Sequence, residues 1–472
     1  FDYLANAVLR QCDRTKVRKI SRKAQELIVR TILDRLLQDG SIQYFKGLAD
    51  KKGFLRSLTA LMDQIGSCGV TAEEAKAAFA HWDGRSPAYQ QKDREIAAIY
   101  GEYLSFLIQH DVFDVQGLYR LAVNELSVLE KKNASLKWSS LYFMGFYQFD
   151  PLQLEMIRQV SRFTDVWIAL PYEAGRPELY GATEFTYGAL MGYAVPENLC
   201  LPATAKRTPS LQHIVDNLRN PGVKPVTADS GIAVWETPDK TEELRMVMRD
   251  IKLRIRKGRV KPDEVALVVR RLEDYRGIRS LCDEYGIPVQ MPDSAQLVAN
   301  PLFQYLILLL QMIPLHGREK AEACIRFLSQ PLQRMVLNLR TDGVLQLAAQ
   351  RYYTDYALFV RDLQAQANCE ALASLWQEIE QIEKEATAGE YCDRLIRILS
   401  LVDLQAVAGK MYQAGRITLP EFKNLACAYV EMLSLLRNLP QDYKISDCEN
   451  QKVSCAEFTE TLTEAEEDLT IP

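Results

Sequence analysis

Leu141-Tyr-Phe-Met-Gly-Phe-Tyr-Gln-Phe-Asp-Pro-Leu-Gln153 reads as a buried strand that passes through a loop into a helix. Leu141, Tyr142, Phe143 and Met144 leave no room for a solvated face, Gly145 breaks the run, and Pro151 sits where a first helical turn tolerates proline. Leu152, Met156, Ile157 and Val160 then share one helical face, and a second apolar strand, 166–170, follows until Pro171 stops it. Strand, helix and strand within about thirty residues outline a parallel βαβ unit. In an open parallel sheet the chemistry gathers at the carboxyl ends of the strands, so the loop after Phe143 is where catalytic carboxylates are expected. Met144 and Gly145 stand there instead.

An apolar strand, then Gly-Phe-x-x-Phe-x-Pro-x-Gln over 145–153, then helix and strand, resembles the degenerate Walker B region of the AddB family. These are the B subunits of bacterial AddAB/RexAB-type ATP-dependent helicase-nucleases, relatives of the UvrD and RecB helicases. An active motor of that superfamily would carry an Asp-Glu pair for magnesium and water activation where Met144 and Gly145 stand. The resemblance therefore implies an α/β fold of parallel-sheet RecA-like halves (a P-loop NTPase-like helicase fold) with large helical insertions. It also implies a hydrolytic centre that has been lost, with Gly145 a nucleotide-site remnant and Asp150 too far along the loop to substitute.

Length and composition bound the rest. A chain of 472 residues can bury several cores and carries a prior of two to four domains. Hydrophobic content of 48% and charged content of 25% are those of an ordinary globular protein. With 57 basic against 62 acidic side chains the formal net charge is −5, so any nucleic-acid contact must come from local patches. Ten cysteines lie scattered without a CxxC, which favours reduced thiols and a cytosolic setting; Cys448 and Cys455 have no second pair to complete a metal site. Four isolated histidines make a histidine metal site improbable. The most apolar run, 302–313, contains Gln304 and Gln311 and is too short for a bilayer of roughly 30 Å. A start at Phe1 and an end at Pro472 suggest an excised fragment.

Residues 1–138 read as helices, with Ser21 as an N-cap for the face Ala24, Leu27, Ile28, Ile32, Leu36 and Leu37, and further helices over 54–65, 72–82 and 96–108. Under the resemblance this is a helical 1B-like region. Arg14, Lys16, Arg18, Lys19, Arg22 and Lys23 put six cations into ten residues, either a phosphate-contacting strip or a solvated helix start without interleaved aromatics. Residues 139–230 would complete the first RecA-like half: the βαβ unit, then an irregular, proline-rich crossing from 173 with one helix around 211–218. Trp138, Trp167 and Trp235, at or in expected strands, read as core. Residues 231–299 read as the start of a second half, with strands at 231–235 and 265–269, a helix capped by Thr241 and ended by Gly258, and a helix over 275–285 before Gly286-Ile-Pro288. Arg270 and Arg276 reproduce the arginine spacing of the superfamily's motif IV. Asn300 and Pro301 start a helical stretch, 300–440, resembling a 2B insertion, and 441–472 returns toward the second half, ending in an acidic run from Glu464 to Asp468.

Some chemistry is missing. The one Gly-Lys pair, Gly409-Lys410, lacks the glycine and hydroxyl of a phosphate loop. Asp239, Asp250 and Lys252 fit the letters of a PD-(D/E)xK nuclease, but Asp250 and Lys252 fall on different faces of one helix. Arg276, with Gly145, is the remaining candidate for a nucleotide-site remnant. Arg270, Arg271 and Arg279 are candidates for DNA contact, with structural arginines the alternative. Arg249, Lys252, Arg254, Arg256, Lys257 and Arg259 form a second basic run at a helix C-terminus, where the macrodipole alone would favour cations.

The resemblance implies a non-hydrolytic helicase-like part that guides or scans single-stranded DNA, or a duplex end, during double-strand-break processing for recombinational repair. It implies an AddA-like motor as heterodimer partner, no membrane, and a bacterial cytoplasmic setting. No cofactor is expected in this stretch; ATP, Mg2+ and an iron-sulfur cluster belong to the parent family, the cluster in a C-terminal domain that nothing here matches. The alternatives are a helical protein-binding scaffold without DNA contact, and an active helicase whose phosphate loop precedes Phe1.

Overall fold

A computed structural model describes residues 1–14, 16–49, 51–80, 86–193, 207–220, 222–227, 229, 231–275, 277–291, 295–296, 300–330, 356–367, 370–401, 404–415, 417–467 and 470–471. The chain begins with α1 (Asp2–Gln11), α2 (Arg22–Gln38), α3 (Lys52–Ser67), α4 (Ala72–Ala80), α5 (Pro87–Gln109) and α6 (Val115–Lys131). Ser21 caps α2 as its sequence suggests, its hydroxyl accepting from the Ala24 N–H at 3.0 Å. One face of α2 (Ile28, Ile32, Leu33, Leu36) enters a core with Met62, Ile99 and Tyr103, whereas Leu27, on an adjoining face, belongs to the core of the C-terminal helices. A helix apolar over more than one stripe can join two cores in this way.

The βαβ unit is present. β1 (Ser140–Phe143) pairs in parallel with β2 (Asp165–Ile168), from Ser140 opposite Asp165 to Phe143 opposite Ile168, and α7 (Pro151–Val160) crosses between them. Leu152, Leu154, Met156, Ile157 and Val160 bury α7.

Next come α8 (Pro177–Tyr193), α9 (Pro209–Asn217), α10 (Lys240–Arg256) and α11 (Ile278–Tyr285). The expected irregular crossing thus holds a long helix, α8, besides the anticipated α9. Gly181, Gly188 and Gly192 interrupt the apolar period of α8, so its periodicity carried no signal. The strands expected at 231–235 and 265–269 are not formed. Val234 and Val268 are 91% and 88% exposed, and residues 232–236 and 266–269 make no backbone hydrogen bond among the described residues. β-branched composition gives the capacity for a strand, but only a ladder partner completes it. Asp239, rather than Thr241, caps α10, accepting from the Thr241 and Glu242 N–H groups at 2.8 and 2.9 Å. Gly258 (φ +66°) ends the helix as expected, and Gly286 (φ +61°) ends α11.

The remainder comprises β3 (Ala295–Gln296), α12 (Pro301–Met312), α13 (Gly317–Leu328), α14 (Tyr356–Ala367), α15 (Glu370–Glu380), β4 (Glu385–Thr387), α16 (Ala388–Leu401), α17 (Leu404–Gln413), α18 (Leu419–Ile445), β5 (Lys452–Ser454), α19 (Cys455–Glu467) and β6 (Thr470–Ile471). Asn300 caps α12, accepting from the Leu302 N–H at 3.0 Å. Phe303, Leu306, Leu310, Phe327, Trp376, Leu395, Leu436 and Phe458 share one core. The last thirty residues are dominated by α19, which buries Phe458 and Leu462 in that core, with only the short pairs β4–β5 and β3–β6 as sheet. The class is therefore α/β, mostly helical, with one two-stranded parallel sheet among the described residues. Two compact units result: Phe1–Leu170 with Ser294–Pro472, and the inserted Pro171–Asp293.

Candidate nucleic-acid interface

The loop after β1 lies at the carboxyl end of the parallel strands. Gly145 turns it at φ +82°, a conformation that costs other L-residues strain, and nothing within 4 Å would meet an added Cβ there. Beyond the glycine, Phe149 is 1% exposed, and the rings of Phe146 and Phe149 pack on Phe143 and Phe1 with centroids 5.0–6.1 Å apart. The motif's two phenylalanines therefore form an aromatic plug. Asp150 starts α7, its N–H donating to the Gln153 side chain at 3.1 Å, a capping arrangement. It stands at the helix start, past the plug. The side chains here do not fit a nucleotide-bound magnesium ion: Met144 is 72% exposed and offers no oxygen.

One face of β1 carries Phe143, buried against Phe1, Phe146 and Phe149. On the other, Tyr142 and Trp167 are exposed and stack, ring centroids 6.2 Å apart and planes at 12°. Trp235 is exposed as well, so for Trp167 and Trp235 the core reading fails; Trp138 is half-buried. In a strand alternate side chains face opposite ways, so a two-stranded sheet buried on one face leaves half of them outside.

The candidate arginines lie in the inserted unit. Arg270 is exposed and carries no ion pair among the described residues. Arg271 is engaged by Asp274 (3.1 Å), which also meets Lys240 at 3.5 Å. Arg279 is exposed on α11. Arg276 lies outside the described residues. Asp250 pairs with Arg254 at 2.6 Å and Lys252 donates to the Gly286 carbonyl at 3.3 Å, so the nuclease-like letters are spent on structural contacts. Gly409 and Lys410 lie inside helix α17. No group of three or more metal-ligating side chains occurs among the described residues. Cys448 accepts or donates at the Thr31 hydroxyl (3.3 Å), whereas Cys455 donates to the Leu310 carbonyl, and burial pushes its thiol up to about 11.

The two basic runs differ. In the first, Arg14 meets Glu125 at 2.8 Å, Lys19 meets Asp2, Arg22 meets Asp63, and Lys23 meets Glu464 on α19 at 3.1 Å. Arg56 joins the same Glu464 at 3.0 Å. In the second, Arg256, Lys257 and Arg259 are exposed and carry no ion pair among the described residues, and the same holds for Lys261 just beyond the run. Sequence reading had no signal for this difference, because four of the carboxylates that neutralise the first run are 17 to 441 positions away.

Comparison with known proteins bears on the site. Residues 1–214 match a family model described as "ADDB, N-terminal". Among curated relatives, each named as the B subunit of an ATP-dependent helicase/deoxyribonuclease, that of Geobacillus thermodenitrificans is 22% identical over 63% of this chain and 27% of its own length. That of Natranaerobius thermophilus is 23% identical over 89% of this chain and 36% of its own length. That of Bacillus subtilis is 24% identical over 50% of this chain and 20% of its own length. The chain thus spans about a fifth to a third of the length of these relatives. No helix among the described residues is long and apolar enough to cross a membrane. The N-terminal match and the series of helicase/deoxyribonuclease relatives make the chain similar to AddB-type subunits.

Proposed function

We propose that this chain is the non-hydrolytic, helicase-like part of a helicase/deoxyribonuclease, guiding one DNA strand during the processing of double-strand breaks. An AddA-like motor would hydrolyse ATP beside it, and the setting would be the bacterial cytoplasm. The names of the relatives support the DNA-processing class. The observation that carries the non-hydrolytic part is the loop after β1, where Met144 and Gly145 stand in place of metal-binding carboxylates and Asp150 serves as the start of α7. On this reading the β1–α7–β2 unit belongs to a first RecA-like half and the inserted unit begins a second. Arg270, Arg271 and Arg279 would contact DNA phosphates, which position a strand without reading its sequence. Arg276 and Gly145 would be remnants of a nucleotide site.

The test is fluorescence anisotropy of labelled single-stranded and forked DNA at two salt concentrations without nucleotide. Binding should weaken with salt and weaken again in the Arg270→Ala/Arg276→Ala double variant, with no ATP turnover by the chain. Absence of binding at low salt would sink the proposal, and metal-dependent ATP turnover would sink its non-hydrolytic part. A second reading, a protein-binding scaffold, is favoured by Leu211, Ile214, Val215 and Leu218, exposed at helical spacing on and just after α9. Binding of a partner protein that is lost on replacing Leu211 and Leu218 with serine, with DNA ignored, would establish it.

A further inference from the structure

Residues 252–261 carry Lys252, Arg254, Arg256, Lys257, Arg259 and Lys261 and no acidic side chain. The ordinary account of cations at a helix C-terminus is that they satisfy the last carbonyls and the macrodipole. Here backbone N–H groups already satisfy three of the last four carbonyls. The Lys257 N–H donates to Leu253 at 3.0 Å, Gly258 to Ile255 at 2.9 Å and Arg259 to Arg254 at 3.0 Å. Arg254 is held by Asp250, and Lys252 by the Gly286 carbonyl. Beyond the turn stand the exposed carboxylates of Asp263 and Glu264; Glu264 accepts the Lys261 N–H at 2.8 Å, and neither forms an ion pair with the run among the described residues. Arg256, Lys257, Arg259 and Lys261 are left exposed without an ion pair among the described residues. Lys252 and Arg256, four apart, also repel each other on the helix surface. The platform is firm: Leu244 and Met248 of α10 bury against Ile278, Cys282 and Ile287, and Gly258 fixes the turn.

We propose that the turn 256–261 is a docking site for the phosphate backbone of DNA, separate from Arg270, Arg271 and Arg279. The proposal rests on the DNA-guiding reading above and adds a place to it. Concentrated positive charge on a chain of net charge −5 fits a polyanion. The turn offers no apolar side chain except the half-buried Val260, so the contact would follow the backbone and ignore base identity.

The test titrates labelled single-stranded DNA with the full chain and with a Lys257→Gln/Arg259→Gln/Lys261→Gln triple variant, over a salt series. Thermal melts monitored by circular dichroism check that both are equally folded. Removing three phosphate contacts should reduce the slope of log K against log salt by about 2 and weaken binding about 100-fold near 0.1 M salt. An unchanged slope in the variant, with the wild type binding DNA, overturns this site and leaves the DNA-guiding reading standing. No binding by the wild type overturns both. Retention of wild type but not the variant on a poly-glutamate resin, without DNA binding, would assign the turn to an acidic protein surface and overturn the proposal.

Discussion

The runs 14–23 and 252–261 hold the same number of cations over the same length, and the fold treats them oppositely. In the first, carboxylates from α1, α3, α6 and α19 close on the basic side chains, so the charge serves to fasten helices together. In the second the partners come from within the unit and reach only Lys252 and Arg254. Basic density in a sequence is therefore a question, and the answer lies in whether the carboxylates that fold back arrive.

The comparison can be broken. The largest effect on stability should come from Glu464→Gln, which strips Lys23 and Arg56 of a shared partner. The Lys23 and Glu464 side chains are 13% and 20% exposed, so about 1–2 kcal/mol should be lost in urea unfolding, while the DNA salt slope stays as in wild type. A changed slope would mean that the first run also touches phosphate.

A comparable effect of opposite sign is expected beside it. Asp442 on α18 accepts from the Ser21 hydroxyl at 2.8 Å, and burial pushes its carboxyl up to about 6, with Lys23 only partly offsetting this. A carboxyl whose folded pKa lies above its unfolded value favours folding while protonated. Its contribution is complete below about pH 4 and is lost as pH rises through about 6. Asp442→Asn should thus stabilise the fold at pH 7 by roughly 1 kcal/mol after allowance for screening, and by nothing at pH 4. Melting curves at the two pH values check it, and equal effects at both would refute the assignment.

Smaller still, Asp239→Ala should cost the inserted unit about 1 kcal/mol through the lost cap of α10. If 256–261 is a platform docked to DNA, partial loosening of α10 should also weaken DNA binding slightly. Smallest, Arg259→Gln alone should move stability by less than about 0.5 kcal/mol, as expected of an exposed side chain with no ion pair among the described residues. A larger loss would show that the second run, too, is structural.

The βαβ unit was legible because its apolar runs, Gly145 and Pro151 are local signals. Ser21 and Asn300 announced their helices for the same reason. What failed was what depends on a partner elsewhere. Val234 and Val268 have strand-like sequence but no neighbouring ladder among the described residues. Trp167 has core-like chemistry but stands on the uncovered face of two strands. At the site, the absence of carboxylates at Met144 and Gly145 could be read directly, whereas the aromatic cluster beyond them needed Phe1, distant in sequence, to close it. Arg271 looked like its neighbours until Asp274 engaged it.

The contact between Lys23 and Glu464 has a consequence for the order of events during synthesis. Its two ends are 441 residues apart, and at a translation rate of about 5–20 residues per second the ribosome needs roughly 20–90 s to supply the second after the first. Leu27 of α2 waits as well, since the core that receives it is built from residues between Leu302 and Leu462. The inserted unit, contiguous from Pro171 to Asp293, faces no such delay. Helix α2 is thus completed later than the inserted unit that follows it in the chain.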